Sequence, residues 1–248
     1  MRWLLAVGLL SSGCAIQTPH LAISQWPIAE KALYYHEATP ARVVVMPFID
    51  QRPAHERHGQ RPPAMFLLLW NRRVGDYYTA DRVFGDEVEQ QLAQQLAAYL
   101  QAANVFTQAV SIPSSARNAD TIQRLAREHV ADYLLGGDLE HFFGSQHQHF
   151  SMFALPLYFI STFGWQDSKS LPWGQTTVRC TLYNGGTGDM IWRHTVEASH
   201  TMARETDSMA QAAMVSFTSA AGQLATELRQ LPFESMATSA HTADIAEF

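Results

Sequence analysis

Glu140-His141 and His147-Gln148-His149 form the densest group of metal-capable side chains in this 248-residue sequence, which holds eleven histidines in all. Two imidazoles at i and i+2 share one face of a strand, a spacing that permits Zn²⁺ or Cu²⁺ but requires neither. A surface strand and loop with titrating histidines accounts for the pattern more simply, so no metal ligand is assigned. Cys180 lies in Thr177-Val178-Arg179-Cys180-Thr181-Leu182-Tyr183, whose alternation puts Val178, Cys180 and Leu182 on one face. With no histidine at a motif spacing, it reads as a small buried hydrophobe and not as a nucleophile. Ser114 and Ser115 lack the flanking glycines of a nucleophile elbow. Asn184-Gly185-Gly186-Thr187-Gly188 lacks the lysine and the following helix of a phosphate cradle, and a hairpin turn explains it. Asp50 and Arg52 at the end of one strand, with Asp138 at the end of another, are placed to converge at a strand edge, where a structural salt bridge is the expected outcome. The sequence thus offers no catalytic residue and implies no cofactor, and the chain is not expected to be an enzyme.

Composition narrows the classes further. Hydrophobic residues make up 47% and charged residues 16%, against roughly 25% charged in an ordinary globular protein, which excludes a disordered chain. Lys+Arg is 17 and Asp+Glu is 23, a formal net charge of -6, so a surface that binds nucleic acid by neutralising phosphates is not expected. The 13 Phe, 8 Tyr and 6 Trp supply bulk for a sizeable core.

Periodicity places the elements. Residues 14–40 show no clean period and read as a tether. Residues 42–50 are a β-branched run interrupted at Pro47, as in a central strand buried on both faces. Residues 51–63 hold three prolines, charges and His55 and His58, and read as a solvated, mobile loop. Residues 81–103 form the clearest helix, with Asp81 as its cap and Phe84, Val88, Leu92, Leu96 and Leu100 repeating every fourth residue. A short strand is expected over 105–110, then a helix over 116–130 with Ile122, Leu125, Ala126 and His129 on one side. The strand over 131–140 contains Gly136-Gly137, which suggests a bulge or a close crossing. The strand around Cys180 turns at 184–189 and returns over 190–196 as an antiparallel neighbour. Met209, Ala213, Phe217, Ala220, Leu224 and Leu228 mark a long amphipathic helix over 206–230, with Pro232 beyond it. Residues 233–248 are polar and small, and disorder is expected there. The order is α/β: early crossovers make parallel pairs and the late hairpin adds antiparallel ones, giving a mixed parallel/antiparallel sheet covered by amphipathic helices in one domain over 41–232.

Residues 1–13 have the charged start and apolar run of a secretory signal, too short for the roughly 20 residues of a membrane span. Ser11-Ser12-Gly13-Cys14 resembles the bacterial lipobox, with its leucine displaced one place to Leu10. That resemblance implies cleavage before Cys14, lipidation of Cys14 and, because Ala15 follows, anchoring at the periplasmic face of the outer membrane. Cys180 would then be the one thiol of the mature chain, with no intrachain disulfide. Three further stretches carry a second resemblance: Val43-Val44-Val45-Met46-Pro47-Phe48-Ile49-Asp50-Gln51-Arg52, Ala131-Asp132-Tyr133-Leu134-Leu135-Gly136-Gly137-Asp138-Leu139, and Asn184-Gly185-Gly186-Thr187-Gly188-Asp189-Met190-Ile191-Trp192. In this order they resemble a group of bacterial envelope lipoproteins that share a fold with the amino-terminal domain of the Tol-Pal translocation protein. The curli secretion lipoprotein and the outer-membrane activator of penicillin-binding proteins are members. The resemblance implies a binding module without enzyme activity and transfers no catalytic residues.

Two apolar insertions, near 61–80 and 150–175, exceed what such a domain needs. The first contains Met65-Phe66-Leu67-Leu68-Leu69-Trp70; the second runs from Met152 through Ile160 to Phe163, Trp165 and Trp173. Either they cover each other and extend the core, or they form a partner- or membrane-contacting surface in which Phe66, Leu68, Trp70, Phe153, Leu157, Phe159, Trp165 and Trp173 take part. Neither is long enough for a spanning helix, and neither alternates like a transmembrane strand. The expected role is that of an outer-membrane-anchored, non-enzymatic accessory or assembly factor of an envelope complex. Two alternatives stand beside it: a ring-forming homo-oligomeric secretion or surface-assembly subunit, and a metal-binding or enzymatic periplasmic protein that uses His141, His147 and His149.

Overall fold

In the computed structural model, which describes residues 21–62, 64–67, 70–73, 75–85, 87–148 and 169–233, the valine run at 43–45 becomes the centre of a mixed sheet. Along the chain the elements are β1 (Thr39–Val45), β2 (Ile49–Asp50), α1 (Ala54–His58), β3 (Ala64–Leu67), β4 (Trp70–Arg73), β5 (Gly75–Tyr78), α2 (Val88–Ala102), β6 (Phe106–Ser111), α3 (Ala119–His129), β7 (Tyr133–Gln148), β8 (Trp173–Asn184), β9 (Met190–Thr201) and α4 (Met209–Arg229). The strand order is β6-β1-β7-β8-β9; β6 and β7 lie parallel to β1, and β7, β8 and β9 form an antiparallel run. The fold is therefore α/β with a mixed sheet, as the element order predicts.

The valines show why β1 is central. Val43 and Val45 pack with α2 and α4 on one face, while Val44 and Met46 pack with Ile122, Leu125 and Ala126 of α3 on the other. On α2, Leu92, Leu96 and Leu100 are at most 2% exposed, each contributing about 1.5–3 kcal/mol by burial. On α4, Met214, Phe217, Ala220, Leu224 and Leu228 face the core, and Ser208 caps the helix in a capping box with Gln211.

Pro47 interrupts the first strand, and the chain resumes as β2 beside the same neighbour, Ile49 pairing with Asp138. β7 is 16 residues long and so outruns the 131–140 expectation. On one side it meets β1, β2 and then β5, with Gly75 opposite Gln148; on the other it pairs with β8 along nearly its whole length. The close crossing expected at Gly136-Gly137 is present, since a Cβ on Gly137 would lie 2.2 Å from the Arg179 carbonyl oxygen. The bulge falls further on, between Leu139 and His141.

Four expectations are corrected. Helix α2 starts at Val88 and not at 81, because a 3-10 turn over Asp81–Val83 precedes it and Asp81 caps nothing; Phe84 is nonetheless buried, its ring 5.0 Å from that of Phe142. The 51–63 segment is no solvated loop: it carries α1, and Arg52 and Glu56 within it are 3% and 2% exposed. His129 is exposed and leaves the buried side of α3 to Ile122, Leu125 and Ala126. Packing also reaches upstream of β1: Ile23 and Ile28 are fully buried, and the Ile23 carbonyl accepts from Gln95 Nε2 at 2.9 Å. Residues 1–20 and 234–248, with the expected signal, Cys14 and tail, lie outside the described residues.

Candidate functional site

Beyond the bulge, alternation on β7 sends Phe142 into the core against Phe84 and Phe217, and turns Phe143 to the other face. There Phe143 lies 5.2 Å from Tyr78 of β5 and 5.2 Å from Trp173 of β8 by ring centroids, and His55 of α1 stands 5.0 Å from Tyr78. Edge-to-face and tilted pairs of this kind favour a fixed arrangement of rings. Trp173, one of the residues expected at a partner surface, is therefore half-buried in an aromatic platform built from three elements.

Both apolar insertions leave from this platform. The first is bounded on its far side by β5, and the second begins after Gln148 and returns at Lys169, which bridges back to Gln148. Ser170 fastens that return: its amide donates to the His147 carbonyl, and its Oγ accepts from the His147 amide, each at 2.8 Å. Within the first insertion, β3 and β4 form an antiparallel hairpin, with Phe66 opposite Asn71 and Leu67 opposite Trp70. Leu68, Phe153, Leu157, Phe159 and Trp165 lie outside the described residues.

The histidines do not gather into one site. His141 Nδ1 is 2.7 Å from Glu56 Oε1, and Glu56 Oε2 accepts from the Phe142 amide at 3.3 Å, so this buried carboxylate pins α1 to β7. His147 Nδ1 is 2.8 Å from Asp76 Oδ1 on β5. Six residues of strand at roughly 3.3 Å each hold His141 and His147 about 20 Å apart, so they cannot ligate the same ion. His149 lies outside the described residues.

Asp50 and Arg52 do meet, but Asp138 does not join them. The Arg52 side chain, fully buried, donates from Nε and Nη2 to Asp50, from Nη1 and Nη2 to Asp81, and from Nη2 to Glu89, over 2.8–3.1 Å. Asp138 faces the opposite side of the sheet, paired with Arg117 and 3.8 Å from Arg179. The three carboxylates around Arg52 bring oxygens within 4.8 Å of one another, a donor set that could hold a metal ion, but a guanidinium already supplies the positive charge. Burial alone would raise Asp50, yet the hydrogen bonds and charge of Arg52 outweigh it and hold Asp50 below the ordinary carboxylate range. Burial dominates at Asp81 and Glu89 and raises both, with the Asp50 contact adding to the rise at Glu89. Sequence reading missed Glu56, Asp81 and Glu89 as partners; the one signal was the density of charge around Arg52 in a segment otherwise classed as solvated.

Cys180 is buried as expected, and burial pushes its thiol up to about 12. Ser115 borders a cleft of about 350 Å³ at the carboxyl end of β1, and among the described residues no histidine lines it. The Asn184–Asp189 segment is the expected turn, the Asn184 side chain accepting from the Gly186 and Thr187 amides.

No family model and no curated protein matches this chain. Several solved structures are similar. A protein from Xanthomonas campestris shares 12% identity at a TM-score of 0.43, covering 87% of this chain and 95% of that one. PelC of Paraburkholderia phytofirmans, solved as a dodecamer, shares 12% at 0.39, covering 78% and 93%. A lipoprotein from Neisseria meningitidis shares 10% at 0.35, covering 75% and 99%. At these values the similarity transfers neither a family nor a function to this chain.

Proposed function

We propose that this chain is a lipid-anchored, non-enzymatic envelope lipoprotein of the outer membrane that serves as an accessory or assembly factor through contacts made by its two apolar insertions. The observation that supports this reading is their common origin: β5, the end of β7 and the start of β8 bring both insertions to one end of the sheet, around Tyr78, Phe143 and Trp173. Two apolar runs that leave a sheet at one end are placed to contribute to a single patch, and an exposed apolar patch of more than a few hundred Å² marks an interaction site. The lipobox-like start at Cys14 supplies the anchor that would hold this surface near the membrane.

The test has two arms in cells expressing the full chain. Cys14→Ser should abolish membrane partitioning of the mature protein; a Cys14→Ser protein that still partitions overturns the anchor. A photo-crosslinker at Phe66 or Trp70 should give one discrete adduct, identified by mass spectrometry, that a crosslinker at exposed Thr195 does not give. The same adduct pattern from all three positions, or none from any, overturns the docking surface.

A further inference from the structure

A cleft of about 530 Å³ opens between β5, the turn over Asp81–Val83 and the first turn of α4. Arg61, Arg82 and His58 line it together with Tyr77, Thr79 and Ser208, and among the described residues no aspartate or glutamate does, in a chain whose formal net charge is -6. Arg52, Arg57, Arg117, Arg124 and Arg179 each lie against a carboxylate, but neither Arg61 nor Arg82 has an ion-pair partner among the described residues. Two hydroxyls in the lining keep a proton to donate: Thr79 Oγ1 already accepts from the Gly144 amide, and Ser208 Oγ from the Ala210 amide. The amino-terminal end of the 21-residue α4 adds a partial positive charge to a set of side chains that is already cationic. The cleft at the end of β1 shows the contrast, because there Arg117 and Arg193 share the lining with Asp138 and Asp189 and the charges balance.

We propose that the cleft lined by Arg61, Arg82 and His58 binds a phosphate-bearing anion, and that its natural source is the headgroup of an anionic lipid. Planar guanidinium groups match phosphate oxygens in pairs, which a lone lysine does not. The choice of a lipid source rests on the anchored-lipoprotein reading and on chain continuity. Arg61 stands three residues before β3, and Tyr77 four residues after β4 ends, so the cleft adjoins the foot of the hairpin whose sequence runs Met65-Phe66-Leu67-Leu68-Leu69-Trp70. A phosphate held in the cleft lies at the base of an apolar segment, the order in which a headgroup and its acyl chains follow one another.

The test uses the full chain purified in dodecyl maltoside and titrated calorimetrically with dihexanoyl phosphatidylglycerol and, separately, with inorganic phosphate. The lipid should bind saturably, and Arg61→Gln with Arg82→Gln should weaken it about tenfold or more, as should 0.5 M NaCl. Both arginines are exposed, so the double variant should keep the wild-type thermal unfolding midpoint, while Arg61→Lys with Arg82→Lys should recover part of the affinity. Equal affinity for inorganic phosphate supports the site and reassigns its source to a free phosphate. Binding of neither probe below about 10 mM, or equal binding by wild type and the glutamine variant, overturns the proposal. Neither titration depends on Cys14, so failure of the cleft and failure of the anchor are read out separately.

Discussion

Arg52→Met removes the charge at the centre of a group of three carboxylates while keeping most of the side-chain volume. Five hydrogen bonds from the guanidinium are lost, and Asp50, Asp81 and Glu89 are left with oxygens within 4.8 Å of one another. At an effective dielectric constant of about 20, two unit charges 4.8 Å apart repel by about 3.5 kcal/mol, so three ionised carboxylates are not sustained together. The site instead takes up a proton, which at pH 7 costs about 4 kcal/mol for a group that ordinarily titrates near 4. That caps the penalty per proton. Because the three carboxylates keep 18–28% of their side-chain exposure, a loss of about 3 kcal/mol is expected, at the lower end for breaking a buried pair. For a domain of this size it corresponds to a fall in Tm of about 6–12 °C.

The pH dependence separates this cause from ordinary loss of packing. In the wild type, Asp50 is held low, so its stabilisation is present above the ordinary carboxylate range and is lost as pH falls through its lowered value; Asp81 and Glu89 are raised and act in the opposite sense. Without Arg52 nothing holds Asp50 down, and the folded variant binds more protons than the unfolded chain over the range where the crowded carboxylates titrate. The difference in unfolding free energy between wild type and variant should therefore shrink as pH falls from 7 to 5. Urea denaturation at pH 5, 6 and 7 measures it. A loss under about 1 kcal/mol at pH 7, or a difference that does not change with pH, refutes the electrostatic account.

Gly144 and Gly174 face each other across β7 and β8 beneath the first turn of α4, and a Cβ on Gly144 would lie 1.8 Å from the Met209 carbonyl oxygen. Gly144→Ala should cost about 2 kcal/mol or more in chemical denaturation, while Gly186→Ala, whose nearest neighbour is the Asn184 side chain at 3.3 Å, should stay within about 0.5 kcal/mol. Glu56→Ala leaves the buried Phe142 amide without an acceptor and His141 without its carboxylate, and a loss of about 2–3 kcal/mol is expected by the same measurement. Cys180, with its thiol pushed up to about 12, should resist iodoacetamide at pH 8 in the native protein and react only at the rate of unfolding; rapid native labelling would contradict its burial.

The layers of this fold are legible in the sequence because apolar periodicity carries them. The valines of β1, the leucines of α2 and the small and large apolar positions of α4 all lie where their spacing puts them. Asp81 reads as the cap of α2 because it has the right side chain at the right offset from an apolar run, and nothing local reveals that a buried arginine takes its carboxylate. The reverse holds for residues 51–63, where prolines and charges read as solvated. Arg52 and Glu56 are buried only because their partners arrive from the 3-10 turn, α2 and β7, between 29 and 86 residues away in sequence. Gly144 and Gly174 belong to the same class: a glycine required by a helix that packs from elsewhere in the chain has no local signature.

The length of β7 gives these long-range contacts a common origin. Its first half, paired with β1 and β2, belongs to the core, and substitutions there act on stability. Its second half runs past the end of β1, so the place beside it falls to β5, and the outer face falls to α1 and to Trp173. That overhang brings together the bases of both apolar insertions, the Glu56–His141 pair and, one strand away, the basic cleft at Arg61 and Arg82. The overhang can exist only because α4 lies flat on Gly144 and Gly174, where any side chain would lift it. Binding and stability should therefore separate by position along β7. Arg61 and Arg82 should alter ligand affinity without moving Tm, whereas Gly144→Ala should change both, because Met209 both covers Gly144 and lines the cleft.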